Sequence, residues 1–75
     1  MKMIRLDQDT IIDPSGIKAI RAVKRQDLGD MFFGPRVVID YEVGGKKNYI
    51  VLDFDTIEEA RNRVGEIWEE MKMMS

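Results

Sequence analysis

The chain has no cysteine and no histidine, and only two prolines and one tryptophan among its 75 residues. Without cysteine there are no disulfides and no thiolate chemistry, and without histidine the commonest general base is missing. The two absences together also remove the usual ligand sets for zinc, so any metal would have to be held by oxygen atoms. Long apolar runs are lacking too: the longest is Tyr49 to Leu52, far short of the ~20 residues that cross a bilayer. The opening "MKMIRLDQD" has no apolar core of a secretion signal. These features predict a cytoplasmic protein that does not enter membranes. A large excess of one charge is absent as well, and a formal net charge of −2 argues against a bulk electrostatic attraction to nucleic acid.

What is present is the composition of a folded chain, with 44% hydrophobic and 35% charged residues. Residues 1–75 are expected to form a single domain. A domain of this size buries only about 60–65% of its unfolded surface, which leaves a margin of a few kcal/mol and little room for an internal active site.

The C-terminal segment carries the firmest pattern. Ile57, Ala60, Val64, Ile67, Trp68, Met71 and Met74 recur at helical spacing, and at 100° per residue they cover an arc of roughly 120°. Thr56 with Glu59 three residues on makes a capping box, which predicts a helix starting near Thr56. The other side holds Glu58, Glu59, Asn62, Arg63, Glu66, Glu69 and Glu70, with Glu59 and Arg63 spaced as an ion pair. Gly65 beside the stripe weakens a helix interior by about 1 kcal/mol, unless a close support requires it.

Before the helix, "RVVIDYEVGGKKNYIVLDF" is two alternating runs around Gly44-Gly45, the pattern of a β-hairpin. A two-residue loop pairs Val43 with Lys46 and puts Val37, Ile39 and Tyr41 on one face with Asn48, Ile50, Leu52 and Phe54. The helix is expected to pack there. Val38, Asp40, Glu42, Lys47, Tyr49 and Val51 fall on the other face.

Further upstream, "MIRL" and "TIID" read as short strands around an Asp7-Gln8-Asp9 turn. "DPSGIKAIRAVKRQDLG" has two readings. Ile17, Ile20, Val23 and Leu28 have helical spacing, with Asp13 as N-cap and Pro14 in the first turn. Alternatively Pro14-Ser15-Gly16 is a turn, followed by a strand from Ile17 to Arg25 that supplies the sheet with a partner. With the strand, the fold is α+β: an antiparallel sheet of four to five strands and one C-terminal amphipathic helix packed on one face.

Several groupings invite a chemical reading. "IVLDFDT" is similar to the first motif of haloacid-dehalogenase-type phosphatases, in which a strand delivers an aspartate nucleophile. The motif wants one more residue before the threonine and a much larger α/β domain, so Asp53 and Asp55 read as a strand end running into a helix cap. Asp7, Asp9 and Asp13 are spaced carboxylates but lack the glycine and terminal glutamate of a calcium loop, and read as turn residues. Glu66, Glu69 and Glu70 lie on the water side of the helix with nothing to perturb them. No phosphate-cradling glycine loop is found, and the sequence carries no signature of a cofactor, a small-molecule substrate or catalysis.

Charge is uneven along the chain. Between Ile17 and Lys47 there are seven basic residues (Lys18, Arg21, Lys24, Arg25, Arg36, Lys46, Lys47) against four acidic ones (Asp27, Asp30, Asp40, Glu42). Lys24, Arg25, Arg36, Lys46, Lys47 and Tyr49 are therefore the candidates for a single-strand nucleic-acid surface, which needs aromatic stacking and phosphate contacts. Asp40 and Glu42 on the same face oppose it.

In "DLGDMFFGPRV", Met31, Phe32 and Phe33 stand together between two glycine turn signals. Methionine and aromatic residues are enriched in interface cores, so these three are the candidates for a protein-protein contact, self-association included. The opposing reading has Phe32 or Phe33 closing one end of a small core. Met71, Met73 and Met74 add further adaptable apolar surface.

The layout of "MIRL", "IDPSGIKAI", an apolar strand, a Gly-Lys turn, a second strand and an acidic-start helix resembles small bacterial and phage proteins of sheet-plus-helix build. It also resembles the FlbD family of short flagellar proteins. That resemblance implies an accessory protein acting by binding, without catalysis, and transfers no functional residue. Gln26 to Pro35 has no counterpart in it.

Overall fold

The computed structural model describes residues 3–74, with the backbone alone at Leu28 and Met74. The place of Met74 on the apolar stripe therefore lies outside the described residues. The element order is β1 (Ile4–Arg5), β2 (Ile11–Ile12), a 3-10 turn (Pro14–Gly16), β3 (Ile17–Val23), β4 (Gln26–Leu28), β5 (Met31–Phe33), β6 (Arg36–Val43), β7 (Lys46–Asp53) and α1 (Ile57–Met74). The fold is α+β with antiparallel strands and one C-terminal helix. Its strands are distributed over three sheets: a central one in the order β3-β6-β7, and two ribbons, β1-β2 and β4-β5.

The central hairpin has the expected register, Val43 opposite Lys46 and Val37 opposite Leu52. Gly44 and Gly45 have φ of 60° and 82°, the two positive values a type I′ turn requires, and this turn matches the twist of the strands it joins. Val37, Ile39 and Leu52 are buried on one face, with Ile50, Tyr41 and Phe54 packed around them.

Ile17 to Val23 is a strand, and of the two sequence readings the helix is excluded. Asp13 still caps, but it caps the 3-10 turn, accepting the Ser15 N–H at 3.0 Å. Between Ile17 and Ala19 the register against β6 slips by one residue, leaving Lys18 in a β-bulge. That slip lets Ile17 and Ile20, of opposite parity, both pack on the core.

Helix α1 lies across β3 and β6, burying Ala60 and Ile67 completely. The capping box is formed: Thr56 Oγ1 accepts the Glu59 N–H at 3.2 Å and donates to Glu59 Oε1 at 3.2 Å. Two helix assignments are corrected. Trp68 is 55% exposed and stands outside the core. Arg63 is not paired with Glu59; its Nη2 donates to the carbonyls of Arg5 (2.7 Å) and Leu6 (3.1 Å), tying the helix to the β1-β2 ribbon. Ile4, Leu6 and Ile12 from that ribbon complete the core.

Gly65 is exposed, and a methyl group built on it meets nothing within 4 Å. No close support requires this glycine. Gly65→Ala is expected to raise stability by about 0.5–1 kcal/mol, read from the urea midpoint; a lower midpoint would refute an open environment there.

Asp7 Oδ1 accepts the Asp9 N–H at 2.9 Å and so closes the turn between β1 and β2. The hydrogen bond from the Asp9 backbone holds the Asp7 carboxyl below the usual carboxylate range, and that from the Ser15 backbone does the same for Asp13. A group with a depressed native pKa stabilises the fold above the unfolded value, and that contribution is lost as pH falls through the native value. The double change Asp7→Asn, Asp13→Asn should keep the fold at neutral pH and flatten the loss of thermal midpoint below about pH 4. An unchanged acid limb would remove these turns from the acid response.

Candidate functional site

The segment from Gln26 to Phe33 is not a loop. Gln26 pairs with Phe33, Asp27 with Phe32 and Leu28 with Met31, around a turn in which Gly29 has φ 65° and Asp30 stays negative. A positive value at the first central position alone belongs to a type II′ turn. The pairing also keeps step with the sheet below it. Val23 lies opposite Arg36, and three residues further along each strand Gln26 lies opposite Phe33. β3-β4 and β5-β6 are thus one long ladder, interrupted by bends at Lys24 and Pro35, and its far end is a two-stranded arm that leaves the sheet. The molecule measures 41 × 28 × 20 Å, with a radius of gyration of 12.8 Å against about 11 Å for a compact chain of this length.

Two arginines fix the aromatic rings of the arm. The Arg25 guanidinium lies 4.3 Å from the centroid of the Phe32 ring, and Arg25 Nε also bonds Asp27 Oδ1 at 2.9 Å. Arg36 lies 4.2 Å from the Phe33 centroid. Arg36 is itself only 8% exposed; its Nη2 and Nε reach Asp53 Oδ1 at 2.8 and 3.1 Å, and its Nη1 donates to Gln26 Oε1 at 2.9 Å. One buried cation therefore joins the arm to both strands of the central hairpin.

The three contact candidates are not equivalent. Phe33 is half-buried under Arg36, whereas Met31 and Phe32 are each 63% exposed at the tip. Both acidic neighbours, Asp27 and Asp30, are exposed beside them.

The nucleic-acid candidates do not form one patch. Arg36 is turned inward and occupied by Asp53 and Gln26, which corrects its place in that set. Lys24 and Arg25 belong to the arm, and Lys46, Lys47 and Tyr49 to the opposite end of the sheet, separated by the length of β6, about 23 Å for seven residue steps. Lys47 and Tyr49 border a shallow cleft of about 220 Å³ together with the carboxylates of Asp40 and Glu42, and these repel a phosphate. Asp40 is in turn bonded to Arg21 at 3.1 Å.

Sequence reasoning missed a second exposed apolar feature. Ile17 and Ile20 of β3 with Val64, Trp68 and Met71 of α1 line an open groove of about 410 Å³, rimmed by Lys18. The stripe on the helix was visible, but spacing does not distinguish its centre from its margin. Among the described residues no cluster of three metal-ligating side chains is present, and no helix is long and apolar enough to cross a membrane. No family model, curated protein or solved structure matches this chain.

Proposed function

We propose that this chain is a small accessory protein that acts by binding another macromolecule through the β4-β5 arm, without catalysis. The observation that carries this reading is the pair of Met31 and Phe32, both exposed at the end of an ordered arm. A two-stranded ribbon is marginal in water on its own, and two large apolar side chains at its tip gain from being covered. The stack with Arg25 and the Arg25-Asp27 pair restrict the Phe32 side chain before contact, which lowers the ordering cost of binding. Phenylalanine stacked with arginine on one face of the arm and methionine on the other match residue types enriched in interface cores.

Single-stranded nucleic acid as the partner has less support, because its candidate residues are split between the two ends of the sheet and mixed with carboxylates. The test places a photoreactive benzophenone side chain at position 32 in expressing cells, with position 58 on the exposed helix side as control. Protein adducts at position 32 above the control support the reading. An absence of adducts overturns it, and adducts with nucleic acid alone transfer it to the other partner class.

A further inference from the structure

We infer that the partner of the arm is a second copy of this chain, with the arm of each protomer seated in the groove between β3 and α1 of the other. This rests on the reading of the arm as the binding element.

The groove and the arm are complementary in chemistry. The groove is apolar, with Trp68 more than half exposed on one wall and Ile17 and Ile20 on the other. Its rim is basic. Lys18 protrudes from the bulge in β3, and Arg61 and Lys72 fall on the side of the helix that carries Trp68, two turns before it and one turn after. Lys72 Nζ lies 6.0 Å from the Trp68 ring and is paired with Glu69 Oε1 at 3.5 Å, while among the described residues neither Lys18 nor Arg61 has an ion-pair partner. The arm tip is apolar and carries the carboxylate of Asp30 beside Met31, without an ion-pair partner among the described residues, whereas Asp27, opposite Phe32, is held by Arg25. An apolar tip ending in the Asp30 carboxylate thus meets an apolar groove whose rim carries Lys18 and Arg61, and these opposite charges select both partner and register.

The two features are also placed for reciprocity. The groove sits on the first half of β3 and the arm extends beyond its last residue, so both lie along the same edge of the sheet. Two copies with their β3 edges antiparallel bring each tip to the groove of the other, about 30 Å from the groove level on its own chain. The two-fold axis then passes near Lys24. Such an isologous contact closes on itself and does not grow into a filament. The bulge at Lys18 and the side-chain nature of the groove make this a docking of side chains, not a continuation of the sheet.

The size of the contact sets its strength. With more than half of each ring exposed, two Phe32 and two Trp68 side chains provide on the order of 400–500 Å². Met31, Met71 and the groove walls extend this toward the roughly 1,000–1,200 Å² of small, reversible interfaces.

Charge exchange tests the arrangement, because both positions are exposed and leave the core untouched. Sedimentation across roughly 1–500 µM should show wild-type chain passing from monomer to dimer. Asp30→Lys alone and Lys18→Glu alone should each dissociate at least about tenfold more readily, since each places like charges at both contacts. An equimolar mixture of the two variants should recover the dimer, because in the mixed pair Lys meets Glu at one contact and Asp meets Lys at the other. A wild-type chain that stays monomeric, or a mixture no stronger than its parts, overturns the inference. Adducts from position 32 separate the two readings: capture of a different protein keeps the arm as binding element and removes the second copy, and no capture removes both.

Discussion

Replacement of Ile67 by alanine is expected to remove about 2–5 kcal/mol of stability, while the same replacement one residue later, at the larger Trp68, should remove about 1 kcal/mol or less. Ile67 is fully enclosed between α1 and the central sheet, so its loss leaves a cavity that a small two-layer domain cannot collapse around. Trp68 is 55% exposed beside an open groove, and its removal deletes contacts on one side only. Against a margin of about 3–5 kcal/mol for so short a chain, Ile67→Ala should populate the unfolded state measurably at 25 °C. Urea denaturation followed by far-ultraviolet circular dichroism measures both changes. Equal costs, or a larger one at Trp68, would show that the tryptophan belongs to the core after all.

Asp53→Ala carries the second large effect, out of proportion to the exposure of Asp53 itself. The carboxylate side chain is 72% exposed, but it is the anionic partner of an Arg36 side chain that is only 9% exposed. Removing it leaves a buried guanidinium with Gln26 as its remaining hydrogen-bond partner, which costs about 2–3 kcal/mol after allowance for water reaching the exposed side. In an Arg36→Met background no charge is left stranded, and the same Asp53→Ala change should cost less than about 1 kcal/mol. The cycle is thus expected to give a coupling of about 2 kcal/mol. Additive effects would mean that Phe33 and Gln26 alone hold Arg36, with Asp53 a bystander.

The elements that could be read from sequence were those whose signals are local and redundant. The β6-β7 register follows from Gly44-Gly45 together with two alternating runs, and both agree with the structure. Thr56 and Glu59 likewise declare the start of α1 through a motif complete within four residues. β3 was ambiguous for a physical reason: the bulge at Lys18 changes the parity of the strand, so that Ile17 and Ile20 face the same way and imitate the spacing of a helix. A bulge of this kind leaves no mark in the sequence that differs from a helical turn.

The candidate site was legible in residue type and less so in form. Met31-Phe32-Phe33 stood out as unassigned apolar residues, yet three consecutive apolar side chains show no alternation, and a strand of three residues is too short to establish a period. Gly29 was visible as a turn signal, but that it closes a hairpin in step with β3 and β6 depends on pairing that only the fold reveals. Arg36 and Arg63 were hidden in the same way. Each looks like a solvated charge in sequence, and each is turned inward by partners far along the chain, Asp53 in one case and the carbonyls of Arg5 and Leu6 in the other.

The break in the ladder at Lys24 and Pro35 has a consequence for how the molecule comes apart. Among the described residues, beyond that break each arm strand is paired with the other alone, without the third strand and the extensive helix packing that β3 and β6 have. Local opening of such a unit requires far less free energy than global unfolding, so amide exchange in Gln26 to Phe33 should proceed while the protected amides of Val37 to Ile39 remain silent. An arm that melts alone gives the protein a way to withdraw its apolar tip, or to be clipped by a protease there, without surrendering the rest of its fold.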